Sequence, residues 1–114
     1  MATQFQVFQD QAKGMRWRLL ADNHQVVAVS SEAYRAKADC LNSIEIMRKG
    51  TASLGMYQDK AKEWRWRAIH PNGKTIATSG EGYSSKAAAE AGILRVQELS
   101  RSAPAIELDA PFAR

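Results

Sequence analysis

With 114 residues, 45% apolar and 25% charged, the chain has the size and make-up of one ordinary soluble domain. It holds no apolar run near the roughly 20 residues of a membrane-spanning helix, and one cysteine, Cys40, so no intrachain disulfide; residues 1–4 are not expected to act as a secretion signal, and the expected home is the reducing cytoplasm. The net charge of +4 is spread evenly, with seven Lys/Arg against five Asp/Glu in residues 1–49 and nine against seven in residues 50–114, so no block of like charge marks a nucleic-acid arm.

Phe5, Val7 and Phe8 give residues 5–8 the aromatic and β-branched content of a strand. Residues 10–14 form a short polar turn opened by Asp10, whose carboxylate can bond its own backbone two residues on. Then Met15, Trp17 and Leu19 alternate with Arg16, Arg18 and Leu20, the period of a half-buried strand. Asn23-His24 is expected as a two-residue hairpin turn into a strand at residues 26–30. A helix follows, with Cys40, Ile44 and Met47 on one face. It begins at Arg35-Ala36 without a serine cap, so a loose start is expected, and Gly50 is its stop.

From here the chain repeats itself. Shifted by 49 positions it lies on itself without a gap from about Phe8/Tyr57 to about Met47/Val96. Gln9-Asp10-x-Ala12-Lys13 meets Gln58-Asp59-x-Ala61-Lys62, Arg16-Trp17-Arg18 meets Arg65-Trp66-Arg67, and Glu32 and Tyr34 meet Glu81 and Tyr83. In the second copy Trp64, Trp66 and Ala68 oppose Arg65, Arg67 and Ile69. Asn72-Gly73 is the stronger version of the hairpin signal, and a strand follows at residues 75–79. Ser84-Ser85 caps a helix at residues 86–96, with Ala89, Ile93 and Val96 on one face. Residues 104–108 suit one more short strand, and residues 109–114 a frayed tail. Such self-similarity marks one folding unit used twice, and a half of roughly 50 residues can hardly bury enough apolar surface to fold alone. The expected fold is therefore α+β over residues 1–114 as a single domain. Repeat 1 covers about 5–50 and repeat 2 about 54–108, forming one antiparallel sheet with two helices on one face, related by a pseudo-twofold.

The run of aromatic-Arg-aromatic-Arg, Asn72-Gly73, Ile76-Ala77-Thr78-Ser79, Gly82-Tyr83-Ser84-Ser85-Lys86 and an alanine-rich helix resembles the YegP-like family, small bacterial proteins built on a domain of unknown function. The resemblance covers both repeats, although the first departs from it at Ser31, Ala33, Arg35 and Ala36. It implies two three-stranded units, each followed by a helix, with the strand after each helix exchanged into the other unit. On that reading the linker at residues 52–58 serves both halves and Ile106-Glu107-Leu108 returns to the first. Single-copy members resemble one half and dimerise, so this tandem chain is expected to be a monomer holding an internal pseudo-dimer. The family carries no established activity.

Arg16, Arg18, Arg65 and Arg67 lie on one face of equivalent strands. Brought together they would bind phosphate, carboxylate or a nucleic-acid backbone; the plainer reading is a solvated face whose arginines pair with Asp10, Asp59, Glu32 and Glu81. Trp17, Trp64 and Trp66 fall on the opposite face, where core packing is expected rather than base stacking. Gly80, Gly82, Ser84, Ser85 and Lys86 would suit an anion at a helix start. However, the Walker A spacing is absent and the first copy has no glycine there, so a turn and cap are expected. Tyr34 and Tyr83 are expected to plug the gap between helix start and sheet. Cys40 reads as a small core side chain, and no paired spacing of Cys, His or Glu suggests a metal.

The expected function is a non-enzymatic binding or interaction module for an anionic ligand or nucleic acid, read by Arg16, Arg18, Arg65 and Arg67 with Lys86 as an outlier. No cofactor, no metal and no membrane partner are expected. The alternative is a structural or stress-related protein working through protein contacts at an exposed sheet edge. An enzyme ranks third, to be raised by a deep pocket lined by His70, Tyr83 and Glu81.

Overall fold

The computed structural model describes residues 3–108, so the tail expected at residues 109–114 lies outside the described residues. The elements in chain order are β1 (Gln4–Gln9), β2 (Met15–Leu20), β3 (Val26–Ser30), α1 (Lys37–Lys49), β4 (Ser53–Gln58), β5 (Trp64–Ile69), β6 (Thr75–Ser79), α2 (Lys86–Ser102) and β7 (Ala105–Glu107). The strands make one sheet in the order β4-β5-β6-β3-β2-β1-β7. Each repeat is a three-stranded meander, and the two meet where β3 runs antiparallel to β6. There Ala28 faces Ser79, Val29 faces Thr78 and Ser30 faces Ala77. A shift of 49 residues maps this register onto itself.

The sheet is mixed, not antiparallel throughout: β7 runs parallel to β1, with Phe5 opposite Ala105 and Val7 opposite Glu107. The reason is where α2 delivers the chain. Phe5 N donates to Pro104 O (2.8 Å) and Leu108 N to Val7 O (2.8 Å), so β7 sets out from the end at which β1 begins. The strand after α1, β4, pairs antiparallel with β5, from Ser53 opposite Ile69 to Gln58 opposite Trp64.

The hairpin loops correct a second expectation, because they hold three residues rather than two. Ala21 N donates to Gln25 O and His24 N to Ala21 O; His70 N donates to Lys74 O and Gly73 N to His70 O. The same pair of bonds closes 10–14 and 59–63. Each loop ends in a left-handed residue: Lys13 (φ 69°), His24 (φ 69°), Lys62 (φ 64°) and Gly73 (φ 90°). This is a type I turn followed by a left-handed bulge residue. Asn23 and Asn72 sit in mid-loop and accept from the amides of Gln25 (3.0 Å) and Lys74 (2.9 Å).

Beyond the loops at 21–25 and 70–74 the ladder slips, between Leu19 and Leu20 and between Ala68 and Ile69. Val27 and Ile76 are the residues left unpaired. Both are buried in the core, the re-aiming that a β-bulge produces.

The core lies between the sheet and the two helices. Phe5, Val7, Trp17, Leu19, Trp66 and Ala68 meet Cys40, Ile44, Met47 and Val96 there. Trp17 is 1% exposed and Trp66 0%; aromatics of this size bury about 150–250 Å² each and dominate a small core. Phe5 packs edge-on against Trp17, ring centres 5.3 Å apart. Cys40 is fully enclosed, and burial alone pushes its thiol up to about 11, far from a reactive thiolate. No side chain caps α1 at Ala36, whereas Ser85 Oγ accepts from Ala88 N (3.1 Å) at the start of α2. Gly50 (φ 73°) closes α1 in the left-handed region. The second helix runs past Val96 to Ser102, because Ser100 continues its buried face, and it ends ahead of Pro104.

Candidate functional site

The helices cover one face of the sheet, and the arginine quartet lies on the other. The structure divides the quartet. Between β2 and β5 stand β3 and β6, so the two Arg-x-Arg pairs are three strand spacings apart, about 14 Å. Four guanidinium groups therefore do not converge. Within each pair the two arginines also have different work.

Arg16 and Arg65 belong to the turns that precede them. Asp10 Oδ1 accepts from the amides of Ala12 (3.0 Å) and Gly14 (2.8 Å), while its Oδ2 takes Arg16 Nε (2.8 Å). Asp59 repeats this with Ala61 (2.9 Å), Glu63 (3.0 Å) and Arg65 Nε (2.7 Å). In both, the arginine hydrogen bond, followed by the backbone amides, holds the carboxyl below the usual carboxylate range. Asp59 in turn raises the guanidinium of Arg65. These two arginines thus follow the plainer of the two readings, as turn clamps.

Arg18 and Arg67 lie on the open face. Arg18 Nε donates to Gln6 Oε1 (2.8 Å), and its guanidinium sits 5.7 Å from the Phe8 ring centre. Arg67 is exposed and stacks on Tyr57 at 4.4 Å. Across the sheet, Arg18 faces Val29, Val29 faces Thr78, and Thr78 faces Arg67. Phe8, Arg16, Arg18, Val26 and Val29 enclose a shallow groove of about 280 Å³ there. Lys86 is on the other side of the sheet, at the start of α2, with its ammonium 5.9 Å from the ring of half-buried Trp64. The structure does not bring it to the arginines.

Glu32 and Glu81, expected near the arginines, instead reach across the repeats. Glu32 pairs with Lys74 (3.0 Å), which raises the Lys74 ammonium; Glu81 accepts from Gln25 Nε2 (2.7 Å). These contacts lie in two clefts whose lining residues correspond at the 49-residue shift. One of about 380 Å³ is lined by Glu32, Tyr34, Asp39, Asn42, His70 and Lys74, among others. Its counterpart, about 200 Å³, is lined by Glu81, Tyr83, Ala88, Ala91, Gly92 and Arg95, with Val27 in place of Ile76. His70 therefore shares a cleft with Glu32 and Tyr34, while Glu81 and Tyr83 line the other; the trio that would have favoured an enzyme is split. Both tyrosines do sit between helix start and sheet, bridging Met15 and Trp64 through their backbones, and burial raises both phenols.

Reading the sequence singled out neither Asp39, Asn42 nor Lys74. The available signal was the difference between copies: Asp39 and Asn42 stand where the second repeat has Ala88 and Ala91. Among the described residues no group of His, Cys, Asp or Glu side chains is placed to hold a metal ion, and no helix is long and apolar enough to cross a membrane.

A seven-stranded sheet made from two copies of one β-β-β-α unit and a last short strand, roofed on one face by its two helices, defines a tandem-repeat α+β protein. The chain belongs to the family described as a domain of unknown function (DUF1508), which matches it twice, at residues 10–57 and 59–107; the YegP-like resemblance is thereby shown. A UPF0339 protein of Treponema denticola is 47% identical over 49 residues, 43% of this chain and 83% of that protein, so the relative is little longer than one repeat. Two solution structures share the fold: the protein of unknown function yegP from E. coli (TM-score 0.81, 20% identity, 94% of this chain and 93% of that one) and UPF0339 protein SO3888 from Shewanella oneidensis (TM-score 0.80, 24% identity, 95% and 92%).

Proposed function

We propose that the protein is a non-enzymatic binding module whose open sheet face takes an anionic polymer, with single-stranded nucleic acid as the best fit. It would act in the cytoplasm as a monomer. Its two repeats would be related by a pseudo-twofold through the Val29–Thr78 pair, with the strand after each helix exchanged into the other repeat. The observation that carries this reading is Arg67, exposed and lying over the Tyr57 ring at 4.4 Å, with no carboxylate paired to it among the described residues. A guanidinium fixed against an aromatic ring offers both a phosphate contact and a stacking edge. Arg18, whose Nε donates to Gln6 Oε1, likewise has its guanidinium over an aromatic ring, that of Phe8 at 5.7 Å. The separation of about 14 Å between the two pairs spans about four phosphates of a stacked strand at about 3.4 Å each.

Fluorescence anisotropy with a labelled oligo-dT, titrated over a range of salt concentrations, tests this. Affinity should fall steeply with salt, and Arg67→Ala should weaken binding while lowering the slope of log K against log salt by about one. An Arg67→Ala variant with the parent's affinity and slope would remove the open face from consideration.

A second reading, a structural or stress-related role through protein contacts, is favoured by β4. This six-residue strand ends the sheet, with nothing beyond it among the described residues. Crosslinking in lysate would then return a protein and no nucleic acid.

A further inference from the structure

The larger cleft lies between α1 of the first repeat and the β5–β6 hairpin of the second. We infer that it binds a small molecule carrying an ammonium group and hydroxyls, an amino sugar being the simplest example, with Asp39 taking the ammonium.

The molecule supplies its own control. At the 49-residue shift, Asp39, Asn42, Ser43 and His70 correspond to Ala88, Ala91, Gly92 and Ala21. Both clefts have the same frame: a helix start, a Glu–Tyr pair ahead of it, and a bulge residue from the other repeat, Ile76 in one and Val27 in the other. The second cleft shows that this frame folds with alanine and glycine at those four places. Ser43 is bound to Trp17 and Cys40 within the core. Asp39, Asn42 and His70 are not required to build the fold, yet they are gathered round one concavity. At about 380 Å³ that concavity lies within the size range of small-molecule sites, about 300–1,000 Å³.

The chemistry of the ligand follows from the groups presented. Glu32 and Lys74 pair at 3.0 Å and cancel. Asp39, exposed on the first turn of α1, leaves the lining residues with one net negative charge, although its field also reaches the Lys74 ammonium. It calls for a cation. The remaining groups call for hydroxyls. The exposed amide of Asn42 is one such group; Tyr34 lines the cleft with its ring, its hydroxyl being buried against Ser43. His70 Nδ1 accepts from Asn72 N (3.2 Å), which leaves Nε2 as the ring's donor. No step beyond binding is implied.

Titration of the labelled full-length protein by ¹H–¹⁵N NMR, with glucosamine as probe and glucose as its uncharged control, decides the matter. Glucosamine should give saturable shifts confined to residues 32–46 and 70–76, and glucose none. Asp39→Asn, which keeps size and hydrogen bonding but removes the charge, should weaken glucosamine about tenfold or more, the effect of one charged hydrogen bond. Asp39→Ala installs the residue that the second repeat already carries, so the rest of the spectrum should be unchanged while binding is lost. The inference is overturned by any of three results: no saturable shift with glucosamine up to about 10 mM, glucose shifting the same residues equally, or Asp39→Asn binding as the parent does.

Discussion

Lys13, His24 and Lys62 occupy backbone positions with φ between 64° and 69°, where an L side chain crowds the following carbonyl; only Gly73, at φ 90°, meets the demand without that crowding. The cost of a side chain there is about 1–2 kcal/mol per residue. A glycine recovers it but loses about 0.5–1 kcal/mol of unfolded-chain entropy. His24→Gly should therefore stabilise the protein by roughly 0.5–1 kcal/mol, a rise of a few degrees in Tm. His24→Ala should leave Tm nearly unchanged, because it keeps the strain, and Gly73→His should lower it. Thermal melts of the three variants check this; equal melting of His24→Gly and His24→Ala would show that the left-handed seat is not what matters. The copies also diverge in the core. Trp17 Nε1 donates to Ser43 Oγ (2.7 Å), which in turn donates to Cys40 O (2.7 Å). The second repeat has Gly92 in place of Ser43, and Trp66 Nε1 has no partner in hydrogen-bonding geometry, the Tyr83 hydroxyl being the group set against it. A Cβ at Gly92 would overlap the Tyr83 hydroxyl, so the tyrosine has taken the volume that the serine fills in the first copy.

At the scale of the element, each Asp–turn–Arg clamp joins a loop to the strand that leaves it. Asp10 and Asp59 have carboxyl groups lowered from 3.8 by their arginines and by backbone amides. A lowered folded-state value means stability that is complete above 3.8 and is lost as pH falls through the folded value. The protein should therefore keep its Tm from neutral pH down to about pH 4 and lose it steeply below. Asp10→Asn/Asp59→Asn should start with a lower Tm at pH 7 and show a shallower decline in acid; parallel Tm curves for parent and variant would mean that the clamps contribute nothing. The turns also show what the sequence could and could not convey. Asp10 opening a turn, Asn72-Gly73 and the alternation around Trp17 and Trp66 are local signals, and the strands they announce are present. Loop length is not local in this way, since an Asn-Gly pair serves two-residue and three-residue loops alike, and it is the hydrogen bond from His70 N to Lys74 O that decides. The direction of β7 is likewise unwritten in residues 104–108, being fixed by where α2 ends. The candidate sites were legible in part: the arginines and their face follow from a period of two, but their division into clamps and open-face groups depends on strand order, which places β3 and β6 between them. Asp39 and Lys74 meet in one cleft only because the hairpin of one repeat folds beside the helix of the other.

Taken whole, the molecule has little that belongs to one repeat alone. The first meander needs β6 beside β3 and β7 beside β1. Its helix packs on its own β2 but also against α2, and the floor of its larger cleft includes Ile76 from the second repeat. A chain of about 50 residues buries a smaller fraction of its surface than a full domain and is marginal even with every edge satisfied. Residues 1–50 alone would expose the inner edge of β3, the outer edge of β1 and the α2-facing side of α1. The fragment should accordingly show no cooperative, concentration-independent thermal transition by circular dichroism. Mixing it with residues 51–114 should restore one, because the β3–β6 register and the β1–β7 pairing need no covalent link between the repeats. The Treponema denticola relative, little longer than one repeat, faces the same open edges; two copies meeting through β3-like strands would satisfy them as the tandem chain does internally. A fragment of residues 1–50 that melts cooperatively at every dilution would show that one repeat holds a core of its own, and would leave the shared clefts as a surface between two finished domains.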